Sequence, residues 1–271
     1  MAARGGNDFM TYSISGDYLK QDGILKGGDY ERYTLRLNNE YKLNSFIKLG
    51  HNISLISTHS NYSPGMIYNA YYAPPTSPTI DSAGKFGNTT SDGNVGNPIA
   101  QLYYERYNSG SSFRTLGNIY ADITLVKGLT FRTSGGMDYS TDESKKFVPV
   151  FYVTDIQKLD HNTIDVARNK NVNKLWENTL TFDKTIGKHH FNVLAGLTAQ
   201  TQSGNRLTAR GTDLLSDVNN INADIESLLY LRNAQKGITV DEVGTNDANF
   251  SIFCFIVVYL KHFAARKTYI V

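Results

Sequence analysis

The chain has 271 residues, with 27 Lys and Arg against 25 Asp and Glu, 40% hydrophobic residues and a single cysteine. One cysteine excludes a disulfide-stapled scaffold, the hydrophobic share excludes wholesale disorder, and a net charge of +2 without long basic runs gives no reason to expect nucleic acid. The 18 Tyr and 13 Phe against one Trp favour strands and wet interfaces.

From the N-terminus, Ala2 to Asn7 carries neither the positive start nor the apolar core of a secretion signal, which read literally would keep the chain in the cytoplasm. Met10, Tyr12, Ile14 and Tyr18 then alternate with Thr11, Ser13, Ser15 and Asp17, the period of a strand with one wet face. Tyr33, Leu35 and Leu37 alternate with Arg32, Thr34, Arg36 and Asn38; after a turn at Lys42 to Ser45 the pattern resumes with Ile47, Leu49, Ile53 and Leu55. These two strands predict a hairpin. A second hairpin runs from Phe113 through Ile119, Ala121, Ile123 and Leu125, turns at Lys127-Gly128, and returns with Leu129, Phe131, Met137 and Tyr139. A third carries Trp176, Asn178, Leu180 and Phe182, turns through Lys184 to His189, and returns with Phe191, Val193, Ala195 and Leu197. Seven strands are readable, with Leu116, Tyr120, Leu175 and Leu194 as apolar or aromatic intrusions on the polar faces.

The connections alternate: Lys20 to Asp29, a short turn, His59 to Ser112, a short turn, Asp142 to Lys170, a short turn, Ser203 to Asn249. Short turns on one side and long loops on the other are the pattern of an outer-membrane barrel, whose strands need only roughly 9 to 11 residues to cross. The longest apolar run, Phe250 to Leu260, holds 11 residues, well short of the roughly 20 that a membrane-crossing helix requires. The fold class is therefore all-β, a segment of an antiparallel transmembrane β-barrel of about seven strands with long extracellular loops and short periplasmic turns. A soluble β-sandwich is the alternative, disfavoured by loops of this length in a compact domain. In a barrel the apolar face meets lipid and the Arg, Asn, Thr and Gly face meets a polar lumen, and Tyr41, Phe131, Tyr139, Trp176, Phe182 and Phe191 become candidates for interfacial girdles.

Constellations for chemistry are poor. His189 and His190 are adjacent and would face opposite sides of a strand, and neither a Gly-x-Ser-x-Gly nor a phosphate-loop pattern occurs. Asp213, Asp217, Asp224 and Glu226 form an acidic patch without the order of a calcium loop, and a solvated loop is its default reading. The expectation is no catalytic residue, no metal and no cofactor.

Several segments, in their order and spacing, resemble the SusC/RagA-type TonB-dependent transporters of the outer membrane. They are Tyr12 to Tyr18 followed by Gly23-Ile24, Tyr30 to Asn38, Asn97 to Ala100, Gly117 to Ile123 with Lys127 to Phe131, Trp176 to Phe182, and Gly187 to Gly196. The resemblance covers roughly Asp8 to Gly211. It implies a 22-stranded barrel with an N-terminal plug, a SusD-like surface lipoprotein as lid, and energy from the TonB-ExbB-ExbD complex, together importing glycans, peptides or other large nutrients across the outer membrane. This chain resembles an internal part of such a barrel, without the plug and the TonB-contacting region. The other function class is a secreted or surface β-rich ligand-binding module.

Substrate contacts are expected in the long loop from His59 to Ser112, where aromatic faces can stack on sugar rings and amides can bond hydroxyls. The candidates are Tyr68, Tyr71 and Tyr72 before Pro74-Pro75, and Asn97, Gln101, Tyr103 and Tyr104 after the Gly, Ser and Asn-rich stretch. The competing reading is that these tyrosines pack the loop against the rim and the lid. At the C-terminus alternation stops after Ser251-Ile252-Phe253, and Cys254 to Leu260 reads as a solid apolar run. That change divides the chain into a partial barrel, 1–249, and an atypical tail, 250–271, with a frameshift near Phe253 as one explanation and a genuine buried strand as the other.

Overall fold

The computed structural model describes residues 1–89, 95–187, 189–214, 238–243 and 249–262, the last two stretches through their backbone. In chain order the elements are β1 (Ala2–Gly6), β2 (Met10–Asp22), β3 (Asp29–Lys42), β4 (Ile47–Asn61), helices α1 (Ile67–Tyr72) and α2 (Pro98–Tyr104), and β5 (Tyr107–Val126). They continue with β6 (Leu129–Val148), β7 (Phe151–Thr154), β8 (Gln157–Leu159), β9 (Thr163–Ile186), β10 (His189–Thr212), β11 (Ile238–Val243) and β12 (Asn249–His262). One antiparallel sheet runs β1-β2-β3-β4-β5-β6-β9-β10, while β7 and β8 form a separate outer hairpin.

The inner turns are tight because the sequence supplies their chemistry. The Asn7 side chain accepts from the backbone N–H groups of Phe9 (2.9 Å) and Met10 (2.7 Å), and Asn44 repeats this with Phe46 (2.8 Å) and Ile47 (2.9 Å). Gly128 turns β5 into β6 at φ 90°, a left-handed conformation that glycine adopts without a steric penalty.

Two strands escape the alternation reading. β1 is Ala2–Gly6, whose small residues carry no period, yet it pairs with β2 from Ala2 opposite Ser15 to Gly6 opposite Thr11. At the other side of the sheet both β11 and β12 pair with β10. Arg206 lies opposite Val243 and Gln202 opposite Asn249, so β10 advances four residues while its neighbour advances six. β11 and β12 are thus two halves of one strand position separated by a slip of two residues. Through Phe253 and Cys254 the register with β10 is unbroken, Phe253 opposite Thr198 and Phe255 opposite Gly196.

Because directly opposed residues share a face, the register sorts the sheet into two surfaces. One carries Tyr12, Ile14, Tyr33, Leu35, Leu37, Tyr41, Leu49, Ile53, Leu55, Phe113, Ile119, Phe131, Tyr139, Leu180 and Val193; the other carries Arg32, Arg36, Asn38, Asn52, Arg114, Asn118, Arg132, Asp138 and Gln200. The apolar surface is uncovered over most of its extent: Tyr33, Ile119, Trp176 and Leu180 are 54%, 65%, 54% and 39% exposed.

The aromatics on that surface reveal the tilt. Along hydrogen-bonded rows Tyr41 leads through Leu49, Ala121, Thr133 and Asn178 to Leu197, five strands away, yet the matching inner aromatic on β10 is Phe191, six residues earlier. With roughly 3.3 Å per residue and roughly 4.8 Å per strand, this slip corresponds to strands inclined by about 40°, within the range of transmembrane barrels. Tyr41, Phe131, Phe182 and Phe191 then lie at one level near the inner turns. Tyr33 and Tyr139, each eight residues further along its strand, mark the outer level about 20 Å away. Trp176, six residues up from Phe182, lies just inside that outer level.

Beyond the outer level the same surface becomes covered. Phe147, Ile164, Val166, Ala209 and Leu214 form a buried cluster at the tops of β6, β9 and β10, with Tyr107 and Leu207 packed against it. Asn162 closes that end by accepting from the Leu214 N–H (2.7 Å) and donating to the Leu214 carbonyl (3.0 Å). The strands are therefore longer than expected, β9 and β10 reaching 24 residues each, and the Asp142 to Lys170 connection shrinks to residues 149–162. No helix among the described residues is long and apolar enough to cross a membrane.

Candidate functional site: the polar face and the outer loops

The polar face is a lattice of cross-strand charge pairs. Arg114 grips Asp138 with two hydrogen bonds (2.8 and 2.5 Å) and Arg132 grips Asp122 likewise (2.5 and 2.7 Å). The Arg132 guanidinium also sits 4.5 Å from the centre of the Tyr120 ring, and the Tyr120 hydroxyl donates to Glu40 (3.3 Å). The aromatic intrusion in the sequence pattern is thus a polar-network residue. Its ring lies over Gly50, the cross-strand partner, where any Cβ would collide with it.

Between these two pairs Asn38, Asn52 and Asn118 stand in one row, with Asn52 Nδ2 donating to Asn118 Oδ1 (3.0 Å). They border a trough of about 480 Å³ that also takes in Arg36, Leu116, Asp138 and Asn173. Arg36 has no ion pair among the described residues, and Asn173 Oδ1 is buried without a hydrogen-bond partner. A cation beside a row of amides is suited to carboxylates, hydroxyls and peptide groups, which makes this a surface for holding polar matter. Arg36 and the amides were legible as the polar half of an alternation, but their convergence follows only from the register.

The outer loop between β4 and β5 is built around Asn97. Its side chain caps α2 by accepting from the N–H groups of Ile99 (2.9 Å) and Ala100 (3.2 Å), and donates to the carbonyls of Thr79 (2.9 Å) and Gly87 (3.0 Å). Gln157 on β8 clamps the same residue, accepting from its backbone N–H (2.7 Å) and donating to its carbonyl (2.9 Å). Asn97 is fully buried, so its amide is spent on the loop and no polar atom of it remains for a ligand. Gln157 gave no signal in the sequence, since one glutamine in a loop has no pattern.

The remaining candidates divide. Tyr68, Tyr71 and Tyr72 are exposed on α1, their rings 4.7 and 5.0 Å apart at the Tyr68–Tyr72 and Tyr71–Tyr72 pairs. Gln101 accepts from Asn69 (2.9 Å), tying α1 to α2. Tyr103 is exposed, with the Arg106 guanidinium 4.2 Å from its ring centre, whereas Tyr104 is stacked on Phe151 at 4.4 Å and 12°. The β7–β8 hairpin is joined to the longer loop by that stack and by Gln157. On the same hairpin Asp155 sits 3.0 Å from the Tyr152 hydroxyl and holds that phenol above its usual range.

Among the described residues no group of three His, Cys, Asp or Glu could hold a metal ion. His190 Nδ1 lies 3.1 Å from Thr185 Oγ1 at the inner turn. Of the acidic patch only Asp213 is described, with Oδ1 2.5 Å from His161 Nδ1; Asp217, Asp224 and Glu226 lie outside the described residues.

No family model matches the chain. TonB-dependent receptor P3 of Formosa agariphila is 26% identical over 211 residues, which are 74% of this chain and 21% of that protein. TonB-dependent receptor P39 of the same organism is 27% identical over 207 residues, 74% of this chain and 19% of that one. The chain thus spans about a fifth of the length of the curated relatives it matches. In fold, the RagAB peptide transporter superposes with a TM-score of 0.69 at 18% identity, covering 96% of this chain and 29% of that one. The RagAB peptide importer in its 'closed-closed' state gives 0.68 at 20% identity, over 96% and 28%. The chain is thus similar in sequence to TonB-dependent receptors over three quarters of its length, and over nearly all of it has the fold of a β-barrel segment like that of RagAB.

Proposed function

We propose that these strands form part of the wall of an outer-membrane importer that takes up large nutrients such as glycans or peptides. The observation that carries the reading is the uncovered apolar surface shared by successive strands, bounded by two aromatic levels about 20 Å apart. Lipid is the medium in which such a surface costs nothing, whereas in water it would be an aggregation site. Transport then depends on binding and on an external energy source rather than on bond chemistry in the wall.

In this reading the paired arginines and amides of the polar face line the lumen. Tyr68, Tyr71, Tyr72 and Tyr103, with the free Gln101 amide nitrogen, face the nutrient or a SusD-like lipoprotein lid at the outer mouth. TonB-ExbB-ExbD acts through regions outside this chain.

Membrane fractionation tests the proposal. The receptor containing these strands should sediment with outer membranes, resist extraction by salt and carbonate, and require detergent to remain monodisperse. Its deletion should abolish uptake of the cognate nutrient. A monomer soluble in plain buffer and melting cooperatively would overturn the reading in favour of a surface binding module.

A further inference from the structure

The apolar surface carries a charge at a telling height. Lys174 on β9 stands opposite Met137 and Thr201, on the lipid side, eight residues up from Phe182. Eight residues is also the spacing from Phe131 to Tyr139 and from Tyr41 to Tyr33, so Lys174 occupies the outer-level position that tyrosine fills on β3 and β6. Its side chain is exposed and has no ion pair among the described residues. Lys170, four residues further out on the same face, has its ammonium 5.8 Å from the centre of the Tyr139 ring. Two ammonium groups on long stems therefore flank the level where lipid headgroups begin.

Directly inside them is an unfilled trough of about 410 Å³ lined by Ile53, Gly117, Ile119, Gly135 and Met137, with Lys174 at its rim. Gly135 is what opens it, since a Cβ there would meet nothing within 4 Å. A second trough of about 540 Å³, walled by Trp176 and Tyr41, shares Ile119 and Gly135 with the first and carries the groove toward the inner level. The Trp176 indole N–H donates to Thr133 (3.3 Å), so the donor is satisfied and the ring presents an apolar wall.

Resting on the membrane reading above, we propose that Lys170 and Lys174 hold the phosphate of an anionic outer-leaflet lipid whose acyl chain lies in the trough over Gly117 and Gly135. Charge complementarity selects this occupant. Two lysines at the rim attract a phosphate, and the adjoining groove offers apolar surface to a chain attached to it. A second copy of this face would bring its own two lysines, and its neighbouring carboxylate, Glu143, is already held by Arg168 (3.0 and 2.8 Å).

The test uses the receptor containing these strands, extracted from outer membranes in a mild non-ionic detergent and titrated with phosphatidylglycerol or with phosphatidylcholine of the same acyl chains. Bound lipid is counted by native mass spectrometry. Wild type should retain one phosphatidylglycerol at least about tenfold more tightly than phosphatidylcholine. The K170Q/K174Q pair should erase that preference and leave phosphatidylcholine binding as it was. Gly135→Leu, which fills open space, should weaken both lipids together. Equal affinity of wild type for the two lipids, a preference that survives K170Q/K174Q, lipid binding unchanged by Gly135→Leu, retention of inorganic phosphate alone, or a mass showing two receptors sharing this face would each overturn the site. If wild type is recovered in the soluble fraction, the membrane reading itself fails. A membrane-inserted wild type indifferent to headgroup charge removes the lipid site alone.

Discussion

Arginine placed at Ile119 and at Leu116 asks whether the two faces of β5 meet different media. Both side chains are aliphatic and open, 65% and 47% exposed, and they lie three residues apart on opposite faces. Depth follows from the register. Phe113 is six residues above Ile119, and Ile123, four residues below it, pairs with Phe131 of the inner aromatic level. At roughly 3.3 Å per residue and a tilt of about 40°, Ile119 is about 10 Å above the inner level and about 15 Å below Phe113, close to the middle of the apolar band. Arginine on the lipid face at mid-depth costs about 2–4 kcal/mol, a fall of roughly 30- to 1000-fold in the folding equilibrium. Leu116 instead faces the polar side opposite Asp138, where an arginine stays hydrated and the change should stay within about 1 kcal/mol.

The assay is a urea titration of the receptor containing these strands, folded into phosphatidylcholine vesicles and followed by the loss of its far-ultraviolet strand signal. A sheet wetted on both sides would tolerate both exchanges to within about 0.5 kcal/mol, because each replaces an exposed residue. Equal costs at the two positions, or a larger cost at Leu116, would refute the assignment of faces.

Gly50→Ala should destabilise by about 1–3 kcal/mol in the same titration, since the added methyl displaces Tyr120 from its contacts with Glu40 and Arg132. Gly135→Ala, with open space at its Cβ, should be close to neutral. Asn97→Ala removes four side-chain hydrogen bonds inside the outer loop and should cost that loop about 2 kcal/mol or more, read as faster proteolysis within residues 74–96 while the sheet keeps its urea midpoint. Combining Tyr68→Ala with Tyr71→Ala should leave stability within about 0.5 kcal/mol, because both rings are exposed, and should lower uptake or lid affinity about tenfold. Unchanged uptake and lid affinity would remove α1 from the contact surface.

Much of the sheet was legible because alternation is a direct physical consequence of facing two media. Where a strand lacks side chains that distinguish those media, the signal vanishes. Ala2-Ala3-Arg4-Gly5-Gly6 could not announce β1, and its pairing is dictated by the Asn7 turn that folds it back on β2. Cys254 to Leu260 failed in the opposite way, as a run apolar at every position. Its backbone nevertheless holds the β10 register, bringing Phe253, Phe255, Val257 and Tyr259 opposite Thr198, Gly196, Leu194 and Asn192, positions of the polar row. The loop residues were legible as types rather than as roles. Asn97 and Tyr104 have the composition of a binding loop, but a helix cap and a ring stack claim them, and both partners, Thr79 with Gly87 and Phe151, lie too far along the chain for a local pattern to show.

The strand directions constrain how the sheet can close. β1 is antiparallel to β2, and β11 and β12 are antiparallel to β10, which together make nine strand positions with β1 and β12 running the same way. Joining these two edges directly would create a parallel seam, whereas bacterial outer-membrane barrels are antiparallel throughout and even in strand number. Nine strands at a tilt of about 40° would also close at a radius of about 9 Å, too narrow for the guanidinium groups of Arg32, Arg36, Arg114 and Arg132 to share the lumen as exposed or half-buried side chains. Both edges carry backbone groups that lipid cannot satisfy. An odd number of further strands between β1 and β12 meets all three requirements at once: it removes the edges, restores an even count and widens the lumen.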